Sequence, residues 1–392
     1  MRSARAVLLS LLAAALGCGG TTSGKGGTTS APSAPNVLPV SVNGSLCAAG
    51  SYPNKPCVSV TVCDPTGSTC QTIDDILLDT GSSGLRLFKS VVTVPLTPVT
   101  VTGGTLAQCT QYADGTSQWG PVEMASVGLG GEPLVLVPIQ IADASFGTPP
   151  AACASAQAGP ADGGYNGILG LGPFAQDCGS ACAAEADVGI YYACTGATCS
   201  GTTVALAAQV ENPVALLPVD HNGLAVELPS VPPGGALSVE GQLVLGIGTR
   251  TNNAAAGVTP YPVDETGEFT TTLAGANYRA FLDTGSNGLF FGSPTTALPE
   301  CASPDNGWYC PSTTETFSAV NAGATGSPTG TVTFEIGDFE ALVSSNNNAF
   351  PDLGGTGDTS FDWGLPFHLG RKVYVGLEGE SSPLGTGPLF AY

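Results

Sequence analysis

Basic residues are scarce in this chain of 392 residues. It has 10 Lys and Arg against 31 Asp and Glu, a net charge of −21 with neutral histidines. A surface of this sign repels phosphate backbones, so nucleic acid is excluded as a partner. Carboxylates lose their charge in acid, and few cations then remain to repel one another. The composition therefore suits either an acidic medium or a generally soluble extracellular protein.

Histidine is scarcer still, and its shortage excludes one kind of site. His221 and His368 are the only two histidines, too few for a histidine-rich metal centre, and we expect each to be an ordinary surface or loop residue. The chain also lacks a Gly-x-Ser-x-Gly nucleophile elbow and a complete phosphate-binding Gly-x4-Gly-Lys-Ser/Thr loop, because Gly26 follows the Gly-Lys pair of residues 19–25. We therefore expect neither a metal nor a cofactor.

Glycine and proline, in contrast, are abundant, at 55 and 31 residues, and 42% of the chain is hydrophobic. Val, Thr, Leu and Ile occur in short runs that are broken by Gly, Pro, Asn and Asp, a pattern typical of many short strands. The length allows one large domain or two ordinary ones. These features predict an all-β protein.

The N-terminus is typical of an exported lipoprotein. Arg2 and Arg5 form a basic region, and residues 6–16 form an apolar segment that is too short to span a bilayer. Cys18 follows, where acylation would anchor the chain in a membrane. The alternative is ordinary secretion with cleavage nearby. The prediction is a lipoprotein signal peptide over residues 1–17 and a protein that is lipid-anchored to the bacterial cell envelope, in the outer membrane if the cell has one.

The cysteines favour disulfides in an oxidising compartment. There are 13, and removing Cys18 leaves an even number in each half of the chain: ten in the first, and Cys301 and Cys310 in the second. Cys63 and Cys70 flank a turn sequence and could join the strands of a hairpin. Cys301 pairs with Cys310 if no bridge crosses between the halves, and the remaining connectivity cannot be read from the sequence.

An internal repeat is the central feature of the chain. Residues 78–85 (LDTGSSGL) reappear as residues 282–289 (LDTGSNGL), with seven of eight positions identical. In both copies an aspartate, Asp79 or Asp283, follows an apolar strand and begins a glycine-containing loop. A single aspartate in a loop is usually a turn former, whereas two equivalent copies indicate a duplicated lobe.

The sequence divides into a tether and two lobes. We predict a flexible tether at 18–35, an N-terminal lobe at 36–235 and a C-terminal lobe at 236–392, with a boundary rich in Pro and Gly at 231–235.

A twofold relation between the lobes would bring Asp79 and Asp283 together. Two carboxylates at such a distance cannot both ionise, so they share one proton, and one serves as base while the other serves as acid. A water between them could then attack a peptide carbonyl. The hydroxyls and glycines around them are the expected supports of the two loops: Thr80, Gly81, Ser82, Thr284, Gly285 and Ser286.

This doubled motif resembles the pepsin-like aspartic peptidases, and the similarity covers about residues 36–392. Tyr112, Gly115 and Thr116 resemble the flap of that family, a β-hairpin that covers the cleft and whose tip bonds the substrate backbone. Residues 166–172 and 361–367 resemble the segments that close around the two catalytic loops.

The chain also resembles a bacterial lipoprotein branch of the family that carries no agreed function. The resemblance implies a bilobal fold of two pseudo-twofold-related β lobes with a cleft between them.

One departure from the family pattern lies close to the predicted dyad. The family usually has a tryptophan bonded to the flap tyrosine where this chain has Arg86. A cation there either points inward and lowers the pKa of a carboxylate or points outward without effect.

The function implied is that of an aspartic endopeptidase working best at acid pH, a monomer whose partners are a peptide or protein substrate and the membrane. The alternative is a non-catalytic surface-anchored protein of the same fold that binds a peptide or a polysaccharide.

Overall fold

The structure is a computed structural model that describes residues 34–50, 52–292, 298–357 and 359–392. The predicted signal peptide, Cys18 and nearly all of the tether lie outside the described residues, so export and lipidation stay predictions. In the described part of the chain, no helix has the length and apolar character needed to cross a membrane.

Strands make up most of the ordered backbone, and the predicted all-β class is confirmed. The strands up to residue 227 are β1 (Val37–Val42), β2 (Pro56–Cys63), β3 (Cys70–Asp79), β4 (Ser83–Phe88), β5 (Thr97–Pro98), β6 (Thr100–Val101), β7 (Gly104–Gln111), β8 (Ser117–Gly128), β9 (Val135–Ala142), β10 (Gly167–Leu171), β11 (Tyr191–Thr195), β12 (Thr198–Gly201) and β13 (Gly223–Glu227). The later strands are β14 (Val239–Leu245), β15 (Pro260–Pro262), β16 (Phe269–Leu273), β17 (Ala276–Leu282), β18 (Leu289–Phe291), β19 (Glu315–Ala322), β20 (Thr329–Ile336), β21 (Gly354–Thr356), β22 (Ser360–Trp363), β23 (Lys372–Gly376), β24 (Ser381–Ser382), β25 (Gly385–Thr386) and β26 (Leu389–Ala391).

The helices are short and lie in the connections. The α-helices are α1 (Pro160–Gly163), α2 (Ser180–Ala184), α3 (Phe339–Val343) and α4 (Leu365–His368), and the 3-10 turns are Lys89–Val91, Ala151–Cys153, Leu206–Ala208 and Pro213–Leu216.

Alternation along the strands explains how they form and which face they bury. In β2 the valines at 58, 60 and 62 are fully buried, whereas Ser59 and Thr61 between them are partly exposed. Such a period of two is that of a strand with one face on the core. The turn after β2 is held by Asp64, whose carboxylate accepts from the backbone N–H of Thr66 at 2.8 Å. β2 therefore pairs with β3 as the predicted hairpin.

The disulfides follow the predicted division between the halves. The pairs in the described residues are Cys47–Cys57, Cys63–Cys70, Cys109–Cys153, Cys178–Cys182, Cys194–Cys199 and Cys301–Cys310. The expected bridge across the β2–β3 hairpin and the expected Cys301–Cys310 bridge are thus confirmed. None of these bonds joins the first half of the chain to the second.

The same strand arrangement occurs twice. In the first half β10 runs parallel to β3 and antiparallel to β4, and β4 is parallel to β9. In the second half β22 runs parallel to β17 and antiparallel to β18, and β18 is parallel to β21. Asp79 ends β3, and Asp283 follows β17 directly. The duplication read from the sequence is therefore a duplication of structure, with an aspartate at the same point of each copy.

Two sheets carry these copies. The larger contains β1 to β15 with β23 and β26, and the smaller contains β16 to β22. The first strand of the chain pairs with β14, and β13 lies between β14 and β23. Strands from the beginning, middle and end of the chain thus share the larger sheet, which holds the first copy, whereas the second copy lies in the smaller sheet.

His368 lies in the core. It was expected to be a surface or loop residue, but its ring is fully buried in α4, while His221 lies on the surface as expected. Nδ1 of His368 lies 3.3 Å from the carbonyl oxygen of Gly364, and Nε2 has no hydrogen-bond partner among the described residues. The expectation was wrong because every residue of α4 is buried, which the sequence pattern does not reveal. Burial lowers the pKa of His368 from 6.5 to about 3.

This buried histidine predicts a loss of stability in acid. The unfolded chain takes up a proton on it as the pH falls through 6.5, whereas the folded protein does not do so until about pH 3. Folding stability therefore falls over that range, by about 1.4 kcal/mol for each pH unit. In His368→Gln, the free energy of unfolding should fall less between pH 6.5 and pH 4.5, by about 2–3 kcal/mol, as measured by urea denaturation. The control is His221→Gln, and an equal or larger change in that variant would contradict the assignment.

Candidate active site

The two repeated loops bring their aspartates together. The backbone N–H of Gly81 donates to Oδ1 of Asp79 at 2.8 Å, and the backbone N–H of Gly285 donates to Oδ1 of Asp283 at 2.7 Å. Each carboxylate is thus held by the second residue after it in its own loop. This identical local bonding fixes the direction in which each carboxyl points.

The threonines join one loop to the other. The backbone N–H of Thr80 donates to Oγ1 of Thr284 at 3.1 Å, and that of Thr284 donates to Oγ1 of Thr80 at 3.0 Å. Each hydroxyl donates in turn to a carbonyl across the interface, Thr80 to Leu282 at 2.9 Å and Thr284 to Leu78 at 2.7 Å. Both threonines are buried. Because the four bonds are reciprocal, neither loop can shift without disturbing the other.

Close approach of the loops makes glycine necessary at two positions. A Cβ at Gly81 would lie 2.6 Å from Cγ of Asp283, and a Cβ at Gly285 would lie 2.8 Å from Oδ1 of Asp79. Each glycine therefore lies directly against the carboxyl of the opposite loop. The two carboxyls are thus neighbours, and the charge of Asp79 acts directly on Asp283.

The electrostatics of the pair are asymmetric. Burial raises the pKa of Asp283 well above its usual range, and the neighbouring charge of Asp79 raises it further. Two acids this close do not both ionise readily, so the pair favours the sharing of one proton. Ser82 donates to Oδ2 of Asp79, and Ser286 donates to Oδ2 of Asp283 at 2.8 Å. The arrangement offers one base and one acid side by side.

A third carboxyl adjoins the pair, and sequence reasoning missed it. Asp362 in β22 is 7% exposed, and its Oδ1 has no hydrogen-bond partner among the described residues. Burial raises its pKa to about 8, the nearby hydroxyl of Ser286 lowers it, and the charge of Asp79 raises it. The sequence shows Asp362 only as a member of the second closing segment, two residues before Gly364, so the available signal was an acid in an otherwise apolar run.

The predicted flap is a hairpin of β7 and β8 with an exposed tip. Tyr112 packs against a buried cluster that includes Ile168 of β10, and its hydroxyl donates to Oε1 of Gln118 at 3.2 Å. The N–H and hydroxyl of Thr116 both donate to Asp114, and the N–H of Gly115 donates to the carbonyl of Tyr112. The tip donors are thus engaged within the turn, and their bonds to a substrate stay a prediction.

Two further tyrosines join Tyr112 beneath the hairpin and were not identified from the sequence. Tyr165 stacks on Phe88 with ring centroids 6.0 Å apart, and Tyr52 packs on the same cluster. Burial raises the pKa of all three tyrosines, and each also lies close enough to Asp79 for its charge to raise that pKa further. These rings form an aromatic wall beside the dyad. Tyr165 directly precedes the first closing segment, which was the one signal available.

Arg86 points inward but does not serve the dyad directly. Its side chain is 2% exposed, and its guanidinium pairs with Asp177 at 3.0 Å. It also donates to the carbonyl oxygen of Ser83 at 2.8 Å and to the hydroxyl of Thr110 at 3.2 Å. The outward orientation considered for Arg86 is therefore wrong, and its charge is balanced by an acid 91 residues further along the chain. Gln118, and not residue 86, bonds the flap tyrosine.

Among the described residues, the two groups that combine cysteines with an acid do not offer a set of metal ligands. Two groups bring cysteines near a carboxylate, at Asp75 and at Glu340. In both groups the cysteines are joined as disulfides, and a disulfide sulfur is not the thiolate that binds a metal.

Comparison with known proteins gives a family and a fold. The family model described as "Protein of unknown function (DUF3443)" matches residues 32–392. No curated protein matches the chain. Among solved structures, the crystal structure of the aspartic proteinase from Irpex lacteus is similar, with a TM-score of 0.51 and 17% sequence identity, covering 91% of this chain and 96% of that one. At this identity the similarity shows the fold alone, and the predicted bilobal pepsin-like architecture is confirmed.

Proposed function

The chain belongs to the DUF3443 family, and we propose that it is an aspartic endopeptidase with Asp79 and Asp283 as its catalytic pair. The observation that carries this proposal is the reciprocal bonding of Thr80 and Thr284, which holds the two carboxyls within reach of one proton. An aspartate that only forms a turn does not require a second aspartate beside it. A shared proton between matched carboxyls is instead what acid–base hydrolysis needs.

In the proposed reaction a water lies between the two carboxyls. The ionised Asp79 takes a proton from the water as its oxygen attacks the peptide carbonyl carbon, and Asp283 donates its proton to the carbonyl oxygen. The tetrahedral intermediate then returns a proton to Asp283 and loses the amine, which takes the proton held by Asp79. One water and one peptide bond are consumed, and one acid and one amine are released.

The hairpin supports binding of an extended peptide. Its Tyr112 belongs with Tyr52 and Tyr165 to one cluster, and all three lie near enough to Asp79 for its charge to raise their pKa. This aromatic wall offers apolar contact area beside the reacting bond. An extended substrate between hairpin and dyad would be held by main-chain hydrogen bonds, as in strand addition. We expect a preference for a large apolar side chain on this side of the cleft.

The test is digestion of an unfolded protein by the wild-type chain between about pH 3 and pH 8, with and without a statin-type peptide. Such a peptide carries a hydroxyl in place of the attacked carbonyl and should bind at least about 10²-fold more tightly than the same peptide without the hydroxyl. Cleavage that the hydroxyl peptide blocks is the expected result. Absence of cleavage together with equal binding of both peptides would favour the non-catalytic binding protein instead.

A further inference from the structure

The segment just before β2 reaches from the first half of the chain into the second. Asn54 is fully buried, and its side-chain amide donates to the carbonyl oxygens of Asn287 at 2.8 Å and Phe350 at 3.0 Å. Its Oδ1 accepts from the backbone N–H of Phe350 at 2.7 Å, and its own backbone N–H donates to the carbonyl oxygen of Asn348 at 2.7 Å. Both amide hydrogens and Oδ1 are thus engaged, and all four bonds end in the second half of the chain.

The bond to Asn287 supplies what the second repeated loop lacks. Ser83 holds the position of Asn287 in the first loop, and its carbonyl oxygen accepts from the guanidinium of Arg86 at 2.8 Å. In the second copy the position of Arg86 is taken by Phe290, whose side chain has no hydrogen-bond donor. The first loop is therefore held at this carbonyl by a side chain of its own half, whereas the second loop is held by Asn54 from the other half.

The backbone of Asn54 indicates that its side chain is used. Its φ is +58°, in the left-handed region that glycine adopts without strain and most other residues avoid. A residue that only had to turn the chain here would be a glycine. Asparagine tolerates this region and also brings an amide, so the three side-chain bonds account for its presence.

The next residue fixes the same segment to the first half. Lys55 is fully buried, and its Nζ donates to Oδ1 of Asp75 at 2.6 Å and to the carbonyl oxygen of Gly164 at 2.7 Å. Gly164 directly precedes Tyr165 of the aromatic wall. Two adjacent buried side chains thus bond the wall on one side of the dyad and the second repeated loop on the other.

We infer that Asn54 is a positioning residue that holds the second repeated loop, and with it the carboxyl of Asp283, against the first half. Thr80 and Thr284 join the two loops beside the carboxyls, and Asn54 bonds the second loop further along, at Asn287. A loop bonded at both points cannot tilt about the threonine contacts, and such a tilt would turn the carboxyl of Asp283. The inference rests on the proposed function for its effect on hydrolysis, whereas the fixing of the loop does not.

The experiment compares wild type with Asn54→Gly in the full chain. Glycine keeps the left-handed backbone and the N–H that bonds Asn348, and it removes the three side-chain bonds. We expect kcat for peptide hydrolysis to fall by about 10²-fold, the loss that a displacement of about 1 Å can cause. KM should change little, because a fully buried side chain does not contact the substrate. Both proteins are assayed below the temperature at which unfolding begins, and a folded variant that keeps the wild-type kcat overturns the inference.

Asn36→Ala is the matched control. Asn36 is also fully buried, and its amide donates to the carbonyl oxygen of Leu245 at 2.9 Å, 209 residues further along the chain. The variant loses a buried amide bond between distant parts of the chain, but its partners Leu245 and Asn252 lie in neither repeated loop. It should keep the wild-type kcat. If kcat falls as far in Asn36→Ala as in Asn54→Gly, the loss of any long-range bond is sufficient, and the positioning role is overturned.

Asn54→Asp keeps the inference testable if Asn54→Gly does not fold. Aspartate has the same shape and keeps the oxygen that accepts from Phe350, but it has at most one hydrogen for the two carbonyls. We expect kcat to fall in the same direction as in Asn54→Gly and by less. An unchanged kcat in this variant overturns the inference as well.

Hydrogen exchange followed by mass spectrometry separates this inference from the proposed function, because it needs no turnover. In Asn54→Gly, exchange should rise chiefly over residues 284–289 and less over residues 80–85, where Arg86 still bonds Ser83. An equal rise in both loops would indicate general loosening and overturns the inference. If the selective rise occurs in a protein that cleaves nothing, the proposed function fails and the positioning of the loop stands. If the protein cleaves and neither kcat nor exchange changes in the variant, the inference fails and the function stands.

Discussion

Replacing Asp79 by asparagine is expected to lower kcat/KM for peptide hydrolysis by about 10²- to 10⁴-fold at every pH, because general base catalysis contributes that much and an amide cannot take a proton from water. The fold should persist. The side-chain oxygen of asparagine can still accept from the N–H of Gly81, and the repulsion between two neighbouring acids is removed. Cleavage of an unfolded protein, followed by mass spectrometry of the products, is the measurement.

Asp74→Asn is the control for this prediction. Asp74 lies on the same strand, undergoes the same chemical change and is exposed, so its variant should cleave as wild type does. Thermal unfolding of both variants checks that the fold is intact. Undiminished cleavage by Asp79→Asn would show that this carboxylate does no chemistry, whatever its position.

The second large effect concerns stability. Asp177→Ala should lower the free energy of unfolding by about 3–5 kcal/mol, because it leaves the buried guanidinium of Arg86 without a counter-ion. The side chains of Arg86 and Asp177 are 2% and 7% exposed. The carboxyl also accepts from the hydroxyl of Tyr191 at 2.6 Å, so its loss leaves a second buried donor unpaired. Urea denaturation at neutral pH measures the change.

The paired variant shows whether the charge is the cause. Replacing both Arg86 and Asp177 by leucine removes the unpaired cation and should recover part of the loss, since hydrophobic replacements of buried ion pairs are often neutral or stabilising. The part not recovered belongs to the hydroxyl of Tyr191, which stays without its acceptor. Lys89→Ala is a surface comparison: Lys89 is 66% exposed in its pair with Asp143, and its loss should cost about 1 kcal/mol or less. A cost for Asp177→Ala as small as that for Lys89→Ala would contradict the prediction.

The sequence was informative where a feature is local or repeated. The eight-residue motif identified both aspartates and the duplication because its residues are adjacent along the chain. The Cys63–Cys70 bridge was readable because a turn separates its two cysteines by seven positions. The order of the residues already implies the Cys63–Cys70 contact. For the repeated motif, the sequence identifies each copy, and the fold brings the two copies together.

Features that depend on distant contacts could not be read in this way. Arg86 was recognised as unusual, but its partner Asp177 lies 91 residues away and nothing in the pattern connects them. His368 looked like a surface residue because burial of a polar ring depends on how α4 packs, and Asp362 was hidden in an apolar run. Each of these is a titratable group within the core. Titratable residues usually lie on the surface, so the sequence predicts exposure, and only the packed structure shows that they are buried.

The position of the disulfides has a consequence for the integrity of the chain. In the described residues, every bridge closes a loop before residue 200 or after residue 300. A single backbone cut between Cys199 and Val239 would leave two polypeptides without a covalent link among the described residues, and non-covalent contacts such as the pairing of β1 with β14 and the Thr80–Thr284 bonds would hold them together. The segment between these two residues is thus where cleavage by another protease would convert one molecule into a dissociable complex and disassemble the catalytic pair.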